Sequence, residues 1–114
     1  MSACTFCEII AGKAPGEIVF RDELVTAFRD IHPVAPTHIL IVPNRHINSV
    51  NEATSEDEPA LGRLLTTARA LAEQEDLCAS GYRLILNTGV HAGQAVYHLH
   101  LHLIGGQKMR YPMG

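Results

Sequence analysis

Three histidines alternate with leucines in the stretch His98-Leu99-His100-Leu101-His102-Leu103-Ile104. A strand has a side-chain period of two, so the three imidazoles share one face and the leucines and Ile104 take the other. A leucine-rich face points at a core, which leaves a row of imidazoles roughly 7 Å apart at a rise of about 3.3 Å per residue. Such a row suits two chemistries. Three neutral imidazoles can hold zinc with a fourth position open to water. Alternatively, the middle imidazole attacks as a nucleophile while its neighbours manage charge. On a regular strand the spacing is too wide for all three to reach one zinc at about 2.1 Å, which favours nucleophilic use of His100. An ordinary pKa of about 6.5 keeps most of an exposed imidazole in its neutral, nucleophilic form at pH 7. The loop Thr88-Gly89-Val90-His91-Ala92-Gly93-Gln94 runs directly into this stretch and can offer backbone N–H groups to phosphate oxygens.

The elements that position these groups can be read from hydrophobic pattern and turn chemistry. Residues 4–12 predict a short helical turn, broken by Gly12 and Pro15. Residues 17–21 and 24–29 read as a hairpin around Asp22-Glu23, and Thr37-His38-Ile39-Leu40-Ile41-Val42 is a β-branched strand stopped by Pro43. Between them, Pro33 and Pro36 stiffen a loop. Ser55-x-x-Glu58 fits a capping box ahead of a helix over roughly residues 57–75, with Leu61, Leu64, Leu65, Ala68, Leu71 and Ala72 as its core stripe. Residues 82–87 predict a further strand, and Gly105-Gly106 ends the histidine strand. One dominant helix with about five strands, mostly sequential, gives an α+β fold with a mostly antiparallel sheet.

The chain has 114 residues and is expected to form one domain. At 46% apolar residues it can bury a core without disulfide support. A net charge of −3 with scattered Lys and Arg disfavours a partner bound through phosphate neutralisation, so no nucleic-acid polymer is expected. The amino terminus lacks the pattern of a signal peptide and no stretch approaches a membrane span, so no membrane partner and a cytoplasmic location are expected. In that compartment Cys4-x-x-Cys7 binds metal, does redox chemistry or does neither, and Cys78 is expected to be an inert packed thiol.

The triad stretch resembles the signature of the histidine triad (HIT) family. The likeness extends through Asp30-Ile31, Ala35-Pro36-Thr37-His38, Ile41-Val42-Pro43, Gly81-Tyr82-Arg83, Gly93-Gln94 and Gly105-Gly106. These segments, and a Tyr111-Pro112-Met113-Gly114 tail similar to Trp-Pro-Pro-Gly, look like the HINT-like branch, whose members hydrolyse nucleoside phosphoramidates.

The resemblance implies a HIT-like fold over residues 1–114, with the sheet continued across a homodimer and the tail reaching toward the partner's site. It implies a purine nucleotide substrate, an AMP or GMP conjugate, cleaved at the α-phosphate through a nucleotidyl-histidine intermediate. His100 would be the nucleophile, His102 would contact phosphate oxygens, and His38 would orient His100 or complete its relay. Asn87 and the amides around Gly93 and Gln94 would hold the phosphate, beside Ala95. Asp30 would take the ribose hydroxyls, and Phe6, Ile9, Phe28 and Ile31 would wall the base. Many members of the branch carry serine where this chain has Ala95, so assistance to an amine leaving group is expected to be weaker. The substitution also makes conceivable a nucleotide-binding regulatory module with little turnover. In bacterial-type members with an amino-terminal cysteine pair, a structural zinc is completed by two histidines, which correspond here to His46 and His98. The implied set is therefore Cys4, Cys7, His46 and His98, with no metal needed for the chemistry.

Overall fold

The computed structural model describes residues 4–114; the expectation about the amino terminus rests in part on the first three residues, which lie outside them. A short helix α1 (Thr5–Ile10) leads into strands β1 (Ile18–Arg21), β2 (Val25–Arg29) and β3 (Thr37–Pro43). The long helix α2 (Glu58–Gln74) follows, then β4 (Tyr82–Ile85) and β5 (Leu101–Gly105). The five strands form one sheet in the order β1-β2-β3-β5-β4, and every pair is antiparallel. The α+β architecture expected from the sequence is thus present. Among the described residues no helix is long and apolar enough to cross a membrane.

The sheet is covered on both faces, and strand alternation decides what each cover meets. On one face Val25, Ala27, Ile39, Ile41, Leu101 and Leu103 pack against Leu64, Ala68, Leu71 and Ala72 of α2. On the other, Phe28, Leu40 and Val42 pack against Phe6 and Ile9 of α1. β3 is therefore buried along its whole length, while the triad histidines lie on the α1 side. In the β1–β2 turn the Asp22 carboxylate accepts the N–H groups of Leu24 and Val25, as an Asx turn requires.

Several boundaries differ from the sequence expectation. The histidine strand is shorter: its ladder begins at Leu101, so His98 and His100 precede it on non-ladder backbone. The cause lies on β3. Ile41 pairs with Leu101, and two residues further along is Pro43, which has no N–H to donate. The Pro43 carbonyl meanwhile faces the His98 ring at 2.8 Å, and Leu99 N–H turns to Ile47 O instead. The capping box sits one residue earlier, at Thr54 and Asp57, because Arg45 pairs with the buried Asp57 carboxylate and fixes its position. Leu65 stands outside the α2 core stripe at 55% exposure, and β4 ends at Ile85 rather than at residue 87. Cys78 is exposed, not packed: it lies just past Leu77, which takes the buried position.

Candidate active site

Of the three triad histidines only His102 belongs to the ladder, and the imidazoles fall into two groups under α1, bridged by Phe6. Ring centroids lie 4.8 Å apart for His46 and His98, 5.0 Å for His100 and His102, and 5.2 Å for His102 and His38. The Phe6 ring sits between the first pair and the rest, 6.0 Å from His98 and 5.1 Å from His100. His100 and His102 stand closer than the roughly 7 Å expected along a flat strand.

Backbone groups set which nitrogen of each ring carries the proton. His100 is buried, and its Nδ1 lies 2.7 Å from the His98 carbonyl. A carbonyl only accepts, so Nδ1–H donates and Nε2 keeps a lone pair, the arrangement a nucleophile needs. Val34 N–H donates to His38 Nδ1 at 3.2 Å, which leaves the proton on His38 Nε2. That nitrogen faces His102 Nδ1 at 2.9 Å and Asp30 Oδ2 at 3.3 Å. His102 Nδ1 is then an acceptor, and the His102 proton sits on Nε2. Burial, reinforced by the neighbouring His100 and His38, pushes the His102 pKa down to about 4, against the opposing pull of Asp30. Burial likewise lowers His38, with Asp30 again opposing, so both imidazoles are neutral at pH 7.

His38 contacts His102 and Asp30, not His100, so of its two expected tasks only the relay has geometric support. Asp30 also accepts His32 N–H at 2.8 Å through its other oxygen. Phe6, Ile9 and Phe28 gather in one buried cluster, but Ile31 stands apart at 81% exposure in the proline loop. Ile85 pairs with His102 where the β4–β5 ladder ends, so Asn87 lies two residues beyond β4.

The glycine loop departs from expectation in detail. Gly93 N–H bonds Val90 O, and Gln94 N–H bonds Gly89 O, so neither amide is available to a phosphate. The Gln94 side chain is buried and braces the loop: its carbonyl accepts Gly89 N–H, and its NH₂ donates to Asn48 O and Val96 O. Gly93 adopts φ +85°, a left-handed turn that suits glycine, and the next residues, Ala95 and Val96, have backbone N–H groups without a hydrogen bond among the described residues.

In the first of the two groups, Cys4, Cys7, His46 and His98 bring one donor atom each within 4.8 Å of one another. Cys7 Sγ lies 3.2 Å from His46 Nδ1, and both sulfurs lie 3.4 Å from His98 Nδ1. Tetrahedral zinc, with bonds of about 2.0–2.3 Å, needs ligand separations of about 3.3–3.8 Å, so the set fits. The remaining ring nitrogens are tied as metal-bound imidazoles require: His98 Nε2–H donates to Pro43 O and His46 Nε2–H to Asn48 Oδ1 at 2.6 Å. Two sulfurs and two nitrogens leave no open position, so a metal held here would be structural. Burial lowers the His98 pKa despite the Pro43 hydrogen bond, which keeps Nδ1 deprotonated. Asn48 and Pro43 were not legible as site residues, since a polar loop and a strand end carry no such signal.

An antiparallel five-stranded sheet with one long helix on one face, and a short helix over alternating histidines on the other, defines a histidine triad fold. The family model described as "Scavenger mRNA decapping enzyme C-term binding" matches residues 3–112, and the chain belongs to the histidine triad (HIT) family. It is 56% identical over 104 residues to purine nucleoside phosphoramidase of Escherichia coli K12, covering 91% of this chain and 87% of that protein. An uncharacterised HIT-like protein of Synechococcus elongatus is 49% identical over 96% of this chain and 95% of its own length. The crystal structure of a HIT family hydrolase from Legionella pneumophila superposes with a TM-score of 0.93 at 47% identity, over 97% of this chain and 99% of that one.

Proposed function

We propose that this HIT protein hydrolyses purine nucleoside 5′-phosphoramidates, or acyl-nucleotides, at the α-phosphate. The observation that carries the reading is the His100 ring, whose Nδ1 is fixed on the His98 carbonyl so that Nε2 presents its lone pair. In the first step Nε2 attacks the α-phosphorus and the P–N bond breaks. The leaving amine takes a proton from water, because Ala95 offers no hydroxyl. Neutral His102 donates Nε2–H to a non-bridging oxygen as charge develops, together with the Ala95 and Val96 amides and Asn87. Water then attacks the nucleotidyl-His100 phosphorus, Nε2 leaves, and the nucleoside monophosphate is released. The nucleoside lies over the β2–β3 flank, with its ribose at Asp30 and its base against Phe6, Ile9 and Phe28, under the exposed Ile31.

Three companion readings accompany this one. Zinc is the resident ion of the Cys4, Cys7, His46 and His98 set, and it holds α1 to the sheet without entering the reaction. The chain forms a homodimer through the β4 edge: a register shift between Ile18 and Phe20 blunts β1, whereas β4 pairs regularly and leaves Leu86 and Tyr111 exposed nearby. Its working compartment is the cytoplasm, where the ligand thiols stay reduced.

The decisive experiment is incubation with adenosine 5′-phosphoramidate, followed by intact mass after acid quench. Wild type accumulates a nucleotidyl adduct and releases AMP, and His100→Asn loses both by at least about a thousandfold. AMP that stabilises the protein while no substrate is consumed would select the regulatory binding module instead.

A further inference from the structure

We infer that Phe6 is a positioning residue for the nucleophile His100, and that the Cys4/Cys7/His46/His98 cluster, when it carries its metal, holds Phe6 in place. The inference rests on the reading of His100 as nucleophile. Phe6 lies in sequence between the two cysteines and its ring stands perpendicular to His100, at 89° and 5.1 Å, within the range of a preferred edge-to-face pair. The same ring meets Phe28 at 5.2 Å, so it is wedged between β2 and the triad. The first thread from cluster to nucleophile is therefore a side chain. The second is backbone: the carbonyl that fixes the His100 proton belongs to His98, itself a member of the cluster.

The helix that carries Phe6 has six residues, too few to persist without tertiary support. Its amino end is tied at Cys4, whose sulfur accepts Cys7 N–H at 3.3 Å and lies 3.4 Å from His98 Nδ1. Loss of the ion thus loosens both the ring that confines His100 and the residue whose carbonyl fixes its tautomer. A base-wall role alone predicts that altering Phe6 weakens nucleotide binding. A positioning role predicts that it slows the attack.

The test compares wild type, Phe6→Leu and Phe6→Tyr, all zinc-loaded, for AMP affinity and for single-turnover nucleotidylation at saturating substrate. Ring ¹⁵N–¹H correlations of labelled histidine, with His100 assigned from His100→Asn, report orientation without turnover. Phe6→Leu is expected to slow nucleotidylation at saturating substrate by about 10- to 100-fold, a loss separate from any fall in AMP affinity at the base wall, and to average the His100 tautomers. Phe6→Tyr, which keeps the ring, restores a single Nδ1–H form. Chelation of wild type should shift the His100 signals as Phe6→Leu does, and chelation of Phe6→Leu should add little. The inference is overturned if affinity falls while the rate holds, if the His100 signals do not move, or if chelation and Phe6→Leu act independently. Should chelated protein unfold by circular dichroism, the loaded Phe6→Leu and Phe6→Tyr pair decides. Absence of nucleotidylation in wild type would sink the functional reading, and the ring signals would still judge Phe6.

Discussion

At the scale of single residues, the proton positions of this site are set by main-chain groups. The His98 carbonyl, the Pro43 carbonyl and the Val34 N–H each choose a tautomer, and the choice passes from His38 to His102. His38→Gln is expected to lower turnover by about tenfold and to scramble the His102 ring signals, since nothing else donates to its Nδ1. The depressed His102 pKa also has a stability consequence. The unfolded chain binds a proton near pH 6.5, whereas the folded site resists it until about pH 4. The stability this group contributes is therefore full above about pH 6.5 and is lost as pH falls through the folded pKa. Urea midpoints should decline from pH 7 to pH 4.5, and His102→Gln should flatten that decline. A wild-type midpoint constant over that range would refute the assignment. The residue types were legible in the sequence because alternation and spacing are local; the tautomers were not, because each is fixed by a carbonyl or N–H that carries no side-chain signature.

At the scale of elements, β2, β3 and α2 could be read from periodicity, since Val25, Ile39, Ile41, Leu64, Ala68 and Leu71 all meet in the core they predict. The edges could not. The start of β5 depends on Pro43 in another strand, and the cap of α2 depends on Arg45 reaching Asp57. The Gly93–Gln94 amides looked available because a loop's internal hydrogen bonds are invisible in a sequence. Two glycines give a paired test of opposite sign. Gly106 has φ +95°, and a Cβ there would lie 2.9 Å from Pro36, so Gly106→Ala should cost about 1–3 kcal/mol. Gly62 lies inside α2 with open space where a Cβ would go, so Gly62→Ala should stabilise by about 0.5–1 kcal/mol. Thermal melts of the two variants should move in opposite directions.

For the whole molecule, Cys4 caps the first helix and Cys7 lies in it, His46 comes from the loop after β3 and His98 from the approach to β5, so an ion held there would tie three parts of the chain together. Zinc-free protein is expected to melt below the loaded form, with full recovery on adding zinc and none in Cys4→Ser/Cys7→Ser. Light scattering should return twice the 12.4 kDa chain mass, and Ile85→Pro at the β4 edge should lower it. A different consequence follows from the strand order. β5 is the last strand to be made, yet it lies inside the sheet, pairing Thr37 with Gly105 on one side and Tyr82 with Gly105 on the other. Everything synthesised before it is a three-stranded piece and a lone strand with no hydrogen bond ladder between them. Folding must therefore wait on the far end of the chain, through non-local pairings that are slow to form. A nascent chain stalled before Leu101 would expose the unpaired β3 edge and the part of the core that Leu101 and Leu103 complete against α2, which makes that interval of synthesis the one in which this protein most needs protection from aggregation.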